Sequence, residues 1–441
     1  MDLVREAFHY QSRFKNATMV FKIDFPVTED RSFSYFMKDL AMLAKMGVRI
    51  ILVPGCKEFI DAILLEHKIV SSYCGKDRIT NEASIPLVEM AAFNAATRLI
   101  TALSASRVDA VIGNFVRSRG RGVVDGIDME HTGAVDKIFS SAIKKILDFG
   151  MVPILPCIGW SPVGKPYNVS SDDIALESAS ALGAVKLFIV TKGYYLTGEH
   201  INIPKKIECS KDGRPIRLNQ NEAEQIFELN YDDTSKSSGN ETGKEKSLNI
   251  LSLALSALKH GIERVHIING CEDGAVLREL YSNLGAGTML YADEYESIRS
   301  IKNSDIPDIL HIMEPLVLQG VLIRRTPEDI QKKKNDYIVF VIDGSVHGCA
   351  ALHDWGEGQA EIAALAADKE YSDMGIGRRI VHFLIDKAGK LGMRRVFVLT
   401  TKTQDWFELL GFREVEVESL PAQRRENYNR QRASKIFALD L

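Results

Sequence analysis

A single carboxylate interrupts the apolar run Ala360-Glu361-Ile362-Ala363-Ala364-Leu365-Ala366-Ala367. A glycine-punctuated polar turn follows, Tyr371-Ser372-Asp373-Met374-Gly375-Ile376-Gly377-Arg378-Arg379, and then an amphipathic stretch from Ile380 to Ala388. A strand, a glycine loop and a helix in that order form an anion cradle. The glycines let backbone N–H groups turn inward, and the helix N-terminus adds the positive end of its dipole. Gly-x-Gly spacing alone is common in surface turns. Its weight here comes from its place between an apolar strand and an amphipathic helix.

The elements that must position this cradle read as an α+β domain. Ile306 to Leu318 has a helical pattern and is followed by Gly320-Val321-Leu322-Ile323-Arg324-Arg325, with Arg324 and Arg325 on opposite sides of a strand. Glu328 to Lys334 is a polar helix. Tyr337 to Ile342 is a strand, and Asp343-Gly344 is a hairpin turn into Val346 to Leu352. After the glycine loop and its helix come a strand from Arg395 to Thr401, a helix from Asp405 to Leu410, and Gly411-Phe412. Meandering strands followed by strand, loop, helix and strand imply a mixed sheet.

Upstream the pattern changes. Met19 to Ile23, Val48 to Val53, Ala110 to Ile112, Val152 to Pro156, Lys186 to Val190 and Val265 to Ile268 are short apolar strands. They alternate with helical patterns, among them Ser32 to Met46, Asn81 to Ser106, Lys137 to Leu147 and Leu248 to His260. Such alternation implies an α/β domain with a mostly parallel sheet and ligands beyond the strand C-termini. The boundary falls between residues 293 and 294. Asp232 to Ser247 has no apolar residue and reads as a solvated loop.

The 441-residue length fits two or three domains. A net charge of -4 gives no whole-protein reason to expect nucleic acid or an anionic membrane. No apolar run is long enough to span a bilayer, and charges break any apolar core at the start of the chain. The six cysteines lack Cys-x-x-Cys spacing, which argues against a structural zinc site and fits reduced thiols in a cytoplasm. No metal is expected.

The first 293 residues resemble the amino acid kinase fold, most closely its acetylglutamate kinase branch. The resemblance rests on Val53-Pro54-Gly55, Asp77-Arg78-Ile79-Thr80, Asn168 to Asp172, Arg264 to Gly270, Leu277 to Tyr281 and Gly285-Ala286-Gly287-Thr288-Met289. Three departures stand out. Lys22 is followed by Ile23-Asp24-Phe25-Pro26, where an active kinase of this family has paired glycines that close on the phosphoryl group. Ile250 falls where a second lysine is expected, and Lys192 follows Thr191 where these kinases commonly carry an acid. Asp24 would repel phosphate. The resemblance therefore implies a fold that has lost phosphoryl transfer and serves as a regulatory ligand-binding domain.

Residues 294 to 441 resemble the GCN5-related N-acetyltransferase (GNAT) fold, with Ser372 where the cradle usually has Arg or Gln. The two domains in this order are similar to the family of bacterial N-acetylglutamate synthases. Shared stretches include Gln319 to Arg325, Leu399-Thr400-Thr401 with Trp406-Phe407, Leu420-Pro421 through Tyr428-Asn429, and the tail Gln431 to Lys435. The reaction this implies is acetyl transfer from acetyl-CoA to the amine of L-glutamate, the first step of arginine biosynthesis. That amine is protonated near pH 7, so a base must act first. Glu361 is the candidate, partly desolvated among apolar neighbours and so a stronger proton acceptor; a solvent-facing strand position is the alternative. Backbone N–H groups from Ala363 to Leu365 would meet the oxyanion. Thr400 matches the family's hydroxyl for the departing thiolate, or is structural. Arg325 and Arg432 match the positions that bind substrate carboxylates, while Arg424, Arg425 and Arg430 read as a solvated basic tail. The CoA pyrophosphate would rest on Asp373, Met374, Gly375, Ile376, Gly377 and Arg378.

In arginine-sensitive members of the kinase-like family, L-arginine binds between the Gly285 to Thr288 segment and an N-terminal helix, here carrying Tyr10. Glu279 would meet its guanidinium and Gly287 its carboxylate; a plain helix-to-strand loop is the alternative. A homo-oligomer through the kinase-like domain is expected. Two other readings stand against this one: a working acetylglutamate kinase with an accessory acetyltransferase, which the lost glycine pair opposes, and a non-catalytic arginine sensor, which Ser372 favours but the intact cradle glycines with Glu361, Arg325 and Arg432 oppose.

Overall fold

The strand β1 (Thr18–Ile23) is completely buried, and its side chains divide between two cores. Val20 joins one cluster; Met19, Phe21 and Ile23 join the other. A strand covered on both faces is apolar at nearly every position, which is why Met19 to Ile23 reads as an apolar run broken only by Lys22. The computed structural model describes residues 14–231, 242–281, 285–292, 296–342, 345–368, 375–430, 432 and 434–441. Tyr10, Ser372, Asp373 and Met374 lie outside the described residues. The chain divides into two compact units, Met1–Asp293 and Glu294–Leu441.

In the first unit an eight-stranded sheet is built from β1, β2 (Arg49–Pro54), β3 (Ala110–Ile112), β4 (Val152–Ile154), β5 (Lys186–Thr191), β6 (Arg217–Asn219), β7 (Arg264–Asn269) and β8 (Thr288–Tyr291). Its order is β6-β8-β7-β5-β1-β2-β4-β3. All neighbours are parallel except β7 and β8. Phe21, Phe188 and His266 lie in register on three adjacent strands, with rings stacked at 4.4 Å and 4.8 Å. Helices α1 (Phe33–Lys45), α2 (Ile85–Ala105), α3 (Ser171–Leu182), α4 (Gly243–Lys259) and α5 (Ala275–Tyr281) pack around it. Two boundaries depart from the sequence reading. The helix expected from Lys137 starts at Ser140, because Gly133–Ile138 pairs as a strand with Val116–Gly120. The loop expected to reach Ser247 gives way to α4 at Gly243, where Thr242 and Glu245 form a capping box.

The second unit holds a seven-stranded sheet: β9 (Glu296–Ser300), β10 (Tyr337–Ile342), β11 (Ser345–Asp354), β12 (Gln359–Ala367), β13 (Arg395–Thr400), β14 (Arg413–Val415) and β15 (Lys435–Asp440). The order is β9-β10-β11-β12-β13-β15-β14, antiparallel throughout except between β12 and β13. One face packs against α8 (Ile376–Lys390) and carries Phe340, Leu352, Ile362 and Val398. The other packs against α6 (Ile306–Leu318) and α7 (Pro327–Lys332), with Tyr337, Val339, Cys349 and Ala351. The run from Val321 to Arg325 is not a strand. It is an irregular connection between α6 and α7, and the Val321 carbonyl at its start accepts from Arg432.

Gly348 on β11 is where the sheet and α8 come closest. A Cβ there would sit 2.8 Å from Ile376 Cγ2 and 2.9 Å from Ile380 Cδ1. Gly348→Val is expected to destabilise the second unit by about 1–3 kcal/mol through overpacking, read as a lower urea midpoint with an unchanged slope. A midpoint equal to that of the parent chain would show that the helix yields freely.

Candidate active site

Strands β12 and β13 pair over only three positions, ending at Glu361↔Phe397. Beyond it β12 runs to Ala367 and β13 to Thr400, and among the described residues the two do not pair again. Two features of β12 bend it away. Against β11, Ala351 opposes Ala363 and Cys349 opposes Ala366, so two residues oppose Ala350. Ala364 takes up the extra residue with φ +53°, a left-handed conformation rare for a side-chain-bearing residue. The bulge shifts the alternation, so that Ala364 and Ala366 enter the same core as Ala351, while Leu365 packs on the α8 side. The result is a wedge in the sheet, with backbone of Ala363 and Leu365 on one wall, the end of β13 on the other, and Glu361 at its apex.

Glu361 is buried at 7 % exposure, which excludes the solvent-facing alternative, and its carboxylate has partners from outside the apolar run. Arg424 Nε donates to Oε2 at 2.7 Å and Arg424 Nη2 to Oε1 at 3.1 Å; Trp355 Nε1 donates to Oε2 at 2.9 Å. Arg424 also lies over the Trp355 ring, 5.3 Å from its centre. Reading Arg424 as part of a solvated tail was therefore wrong. Leu420 and Pro421 are buried, and Leu420 packs in a cluster with Phe397 and Ile436, which turns the short helix α10 (Ala422–Glu426) so that Arg424 points inward. Arg425 and Arg430 are exposed.

Thr400, on the far wall, is buried. Its Oγ1 accepts from the backbone N–H groups of Lys402 and Thr403 and is hydrogen-bonded to Thr403 Oγ1 at 2.8 Å. Gly375 caps α8 with φ +63°. The first-turn N–H groups of that helix, from Ile376 on, have no acceptor within it. Gly377 faces Trp406, and a Cβ there would meet the indole at 3.4 Å. Arg378 is exposed.

The connection from α6 to α7 gathers cations. Arg432 donates to the carbonyls of Gly320 and Val321, and Lys402 Nζ donates to the carbonyl of Gln319 at 3.2 Å. Arg325 Nη1 donates to Tyr337 Oη at 2.6 Å, whereas Arg324 turns away to Glu314 at 2.8 Å. Arg432 thus reaches the loop that carries Arg325, whose own side chain leaves it for Tyr337. Next to Glu361 on the neighbouring strand is buried His353, its cross-strand partner. Burial lowers the His353 pKa against the pull of Asp336, whose carboxylate binds Nδ1 at 2.6 Å; Nε2 has no partner among the described residues.

This geometry has relatives. Residues 26–193 match the amino acid kinase family, and residues 306–412 match the acetyltransferase (GNAT) family. An amino-acid acetyltransferase of Neisseria meningitidis is 32% identical over 434 residues, covering 96% of this chain and 94% of the relative. One from Vibrio cholerae is 32% identical, covering 99% and 97%. The crystal structure of N-acetylglutamate synthase from Neisseria gonorrhoeae complexed with coenzyme A and L-arginine superposes with a TM-score of 0.85 at 31% identity, covering 99% of this chain and 98% of that one. The chain belongs to the amino-acid acetyltransferase family. It is an acyltransferase with an amino acid kinase unit ahead of its GNAT unit.

In this family member the kinase-like unit encloses a cavity of about 240 Å³ at the C-terminal ends of β1 and β2. Lys22 Nζ lies 2.6 Å from Asp24 and 2.9 Å from Asp172, and Lys246 Nζ lies 3.2 Å from Asp24. Burial opposes the Lys22 charge, yet Asp172 and Asp24 outweigh it and raise the pKa. Burial likewise opposes the Asp24 carboxylate, and Lys22 and Lys246 outweigh it and lower the pKa. Ile250 lines the cavity as aligned, but the second ammonium comes from Lys246, one turn earlier on α4. The Thr242-x-x-Glu245 signature could have placed that lysine on a helix from sequence. Phe25 stacks on Phe59 at 4.4 Å, under Arg98. Among the described residues no group of three or more His, Cys, Asp or Glu could hold a metal, and no helix is long and apolar enough to cross a membrane.

Glu279 and Gly287, expected to receive a ligand, receive each other. Glu279 Oε2 accepts from the N–H groups of Ala286 at 2.6 Å and Gly287 at 2.8 Å, and Oε1 binds His266 Nδ1 at 2.6 Å. His266 Nε2 meets Lys186 Nζ at 2.9 Å. Gly285 folds over the carboxylate; a Cβ there would lie 2.8 Å from Oε2. The loop in this form is closed on itself, which corrects the reading of Glu279 and Gly287 as open contacts.

Burial, then Lys186, holds His266 down to about 4 from 6.5. Glu279 is held down to about 2 from 4.5, because His266 and the two backbone donors outweigh burial. Both groups take up protons more readily when unfolded, so both contributions are present near pH 7 and fall away on acidification. The His266 part is lost from about pH 6.5 through 4, and the Glu279 part from about 4.5 through 2. The melting temperature of the kinase-like unit is expected to fall between pH 7 and pH 5, and His266→Gln to flatten that fall. An equal fall in the variant would assign the loss to other groups.

Proposed function

We propose that this enzyme is an N-acetylglutamate synthase, transferring acetyl from acetyl-CoA to the α-amine of L-glutamate in the first step of arginine biosynthesis, in the cytoplasm and as a homo-oligomer. The observation that carries the reading is the wedge between β12 and β13. It has a buried carboxylate at its apex, unpaired backbone beside it, a hydroxyl on the opposite wall and a helix N-terminus at Gly375. Among the relatives, N-acetylglutamate synthase from Neisseria gonorrhoeae has been solved with coenzyme A and N-acetyl-glutamate, at 31% identity over 100% of this chain and a TM-score of 0.61.

In the reaction Glu361 takes a proton from the substrate ammonium, directly or through water. The freed nitrogen lone pair attacks the thioester carbonyl, a C–N bond forms, and the negative charge on oxygen meets backbone N–H groups of Ala363 to Leu365. Collapse breaks the C–S bond, the surplus proton on the new C–N nitrogen passes to the departing sulfur to give the CoA thiol, and the Thr400 hydroxyl hydrogen-bonds that sulfur. Backbone N–H groups from Asp373 to Arg378, of which Gly375, Ile376, Gly377 and Arg378 are described, hold the CoA pyrophosphate. Arg325 and Arg432 bind the glutamate carboxylates by exchanging Tyr337 Oη and loop carbonyls, neutral partners, for charged ones.

The kinase-like unit serves regulation rather than phosphoryl transfer, since Asp24 fills the place between its two lysines. Its effector is L-arginine, held by Tyr10, Glu279, Gly285 and Gly287. Binding must then break the closed Glu279 contacts, so arginine selects an opened form of the loop. The Neisseria gonorrhoeae enzyme complexed with L-arginine supports this reading.

Release of CoA thiol from acetyl-CoA, measured with and without glutamate and then with added arginine, tests the whole reading. Release that does not depend on glutamate would sink the assignment. ATP consumption with N-acetylglutamate would restore the kinase alternative. Glu361→Gln is expected to lower kcat about 10²–10⁴-fold with CoA affinity unchanged. A parallel loss of CoA binding would mark Glu361 as structural.

A further inference from the structure

We propose that Arg424 is an exchangeable latch: it holds Glu361 in the free enzyme and passes to a carboxylate of the amino-acid substrate when that substrate binds. The inference rests on the synthase reading above. It starts from the state of the base. Oε2 already accepts from Trp355 Nε1 and Arg424 Nε, and Oε1 from Arg424 Nη2. Three donors fill most of the roughly four lone-pair positions of the carboxylate, and Arg424 alone holds one on each oxygen, so its departure opens both oxygens to an ammonium group.

The donor that can leave is Arg424. Trp355 belongs to the packed cluster of Phe397, Leu420, Ile436 and Ala438. Arg424 rides on α10, one turn of five residues with none buried. Its third contact, Nη1 to the carbonyl of Asn427 at 3.2 Å, lies within its own segment and can travel with it. The side chains of the pair are nearly closed to solvent, 13% and 9% exposed, so simply pulling them apart would strand two buried charges. An incoming carboxylate removes that obstacle. The guanidinium exchanges one carboxylate for another, no charge is left unpaired, and Glu361 is released as the substrate's ammonium arrives. A substrate lacking that carboxylate leaves the latch shut, so recognition reaches turnover as well as affinity.

The test is a cycle between enzyme and substrate. Glutamate and its two monoamides, glutamine and isoglutamine, are compared as substrates for the full-length parent enzyme, Arg424→Gln and Arg424→Lys. The parent should discriminate against both amides. Arg424→Gln should lose about tenfold or more of that discrimination against one amide and none against the other. Arg424→Lys should retain part of it. Unchanged discrimination against both amides would show that Arg424 stays on Glu361 throughout, and would overturn the latch. If Arg424→Gln has no measurable turnover, equilibrium binding of N-acetylglutamate and its two monoamides in the presence of CoA reads the same cycle, with CoA affinity and melting temperature reporting the fold. A parent enzyme that neither acetylates glutamate nor binds N-acetylglutamate overturns the synthase reading and the latch together. Normal parent activity with unchanged discrimination in the variant overturns the latch alone.

Discussion

Two parallel strands that pair for three residues and then separate set the terms for the catalytic unit. The separation after Glu361↔Phe397 leaves peptide groups of β12 without a neighbouring strand, which a sheet interior does not normally tolerate. The bulge at Ala364 sustains the opening by giving β12 an extra residue that β11 does not match. What surrounds the wedge depends on it. The apex is narrow enough to bury Glu361, free backbone of β12 lines one wall, and α8 begins beyond the open end.

Charge is handled in the same way at three places. Glu361 is held by Arg424, Glu279 by His266 and two backbone donors, and Asp24 by two lysines. In each case a buried carboxylate has enough donors to offset its lost hydration. Each also sits where the family reading places a ligand, so a ligand there would compete with an existing internal partner for the same group. Binding energies at these sites are differences between two well-formed arrangements, and small changes in the internal partner should have large effects on function.

Much of this was legible in the chain. The fully buried strands announce themselves as apolar runs, and the alternation of β1 to β5 and β7 with helices follows from them, whereas the short β6 and β8 fall outside that reading. The cradle glycines stand where a helix begins, and Gly375 has the positive φ that its type favours. Other features could not be read locally. Ala364 adopts a left-handed conformation in an alanine-rich run with no glycine to mark it. Val321, Leu322 and Ile323 look like a strand, but Arg432 and Lys402 claim neighbouring carbonyls from distant sequence. Arg424 meets Glu361 across 63 positions, and its neighbours Arg425 and Arg430 are exposed as composition suggests. Trp355 offered a hint: it is one of three tryptophans and lies six residues before Glu361, across a tight turn. Lys246 was hidden by assigning its whole polar stretch to a loop, although a capping signature preceded it.

The cavity of the kinase-like unit has one further property. Five basic side chains line it, Lys22, Lys57, Lys76, Arg78 and Lys246, and so do five acidic ones, Asp24, Glu58, Asp77, Asp172 and Asp173. Opposite charges in equal number, interleaved within a few ångströms, produce strong local fields that cancel with distance. A nucleotide approaching from solvent would feel little long-range attraction, and salt would change that little. Asp24 completes this balance: without it the lining would carry five basic and four acidic side chains, a net positive charge that would attract polyphosphates.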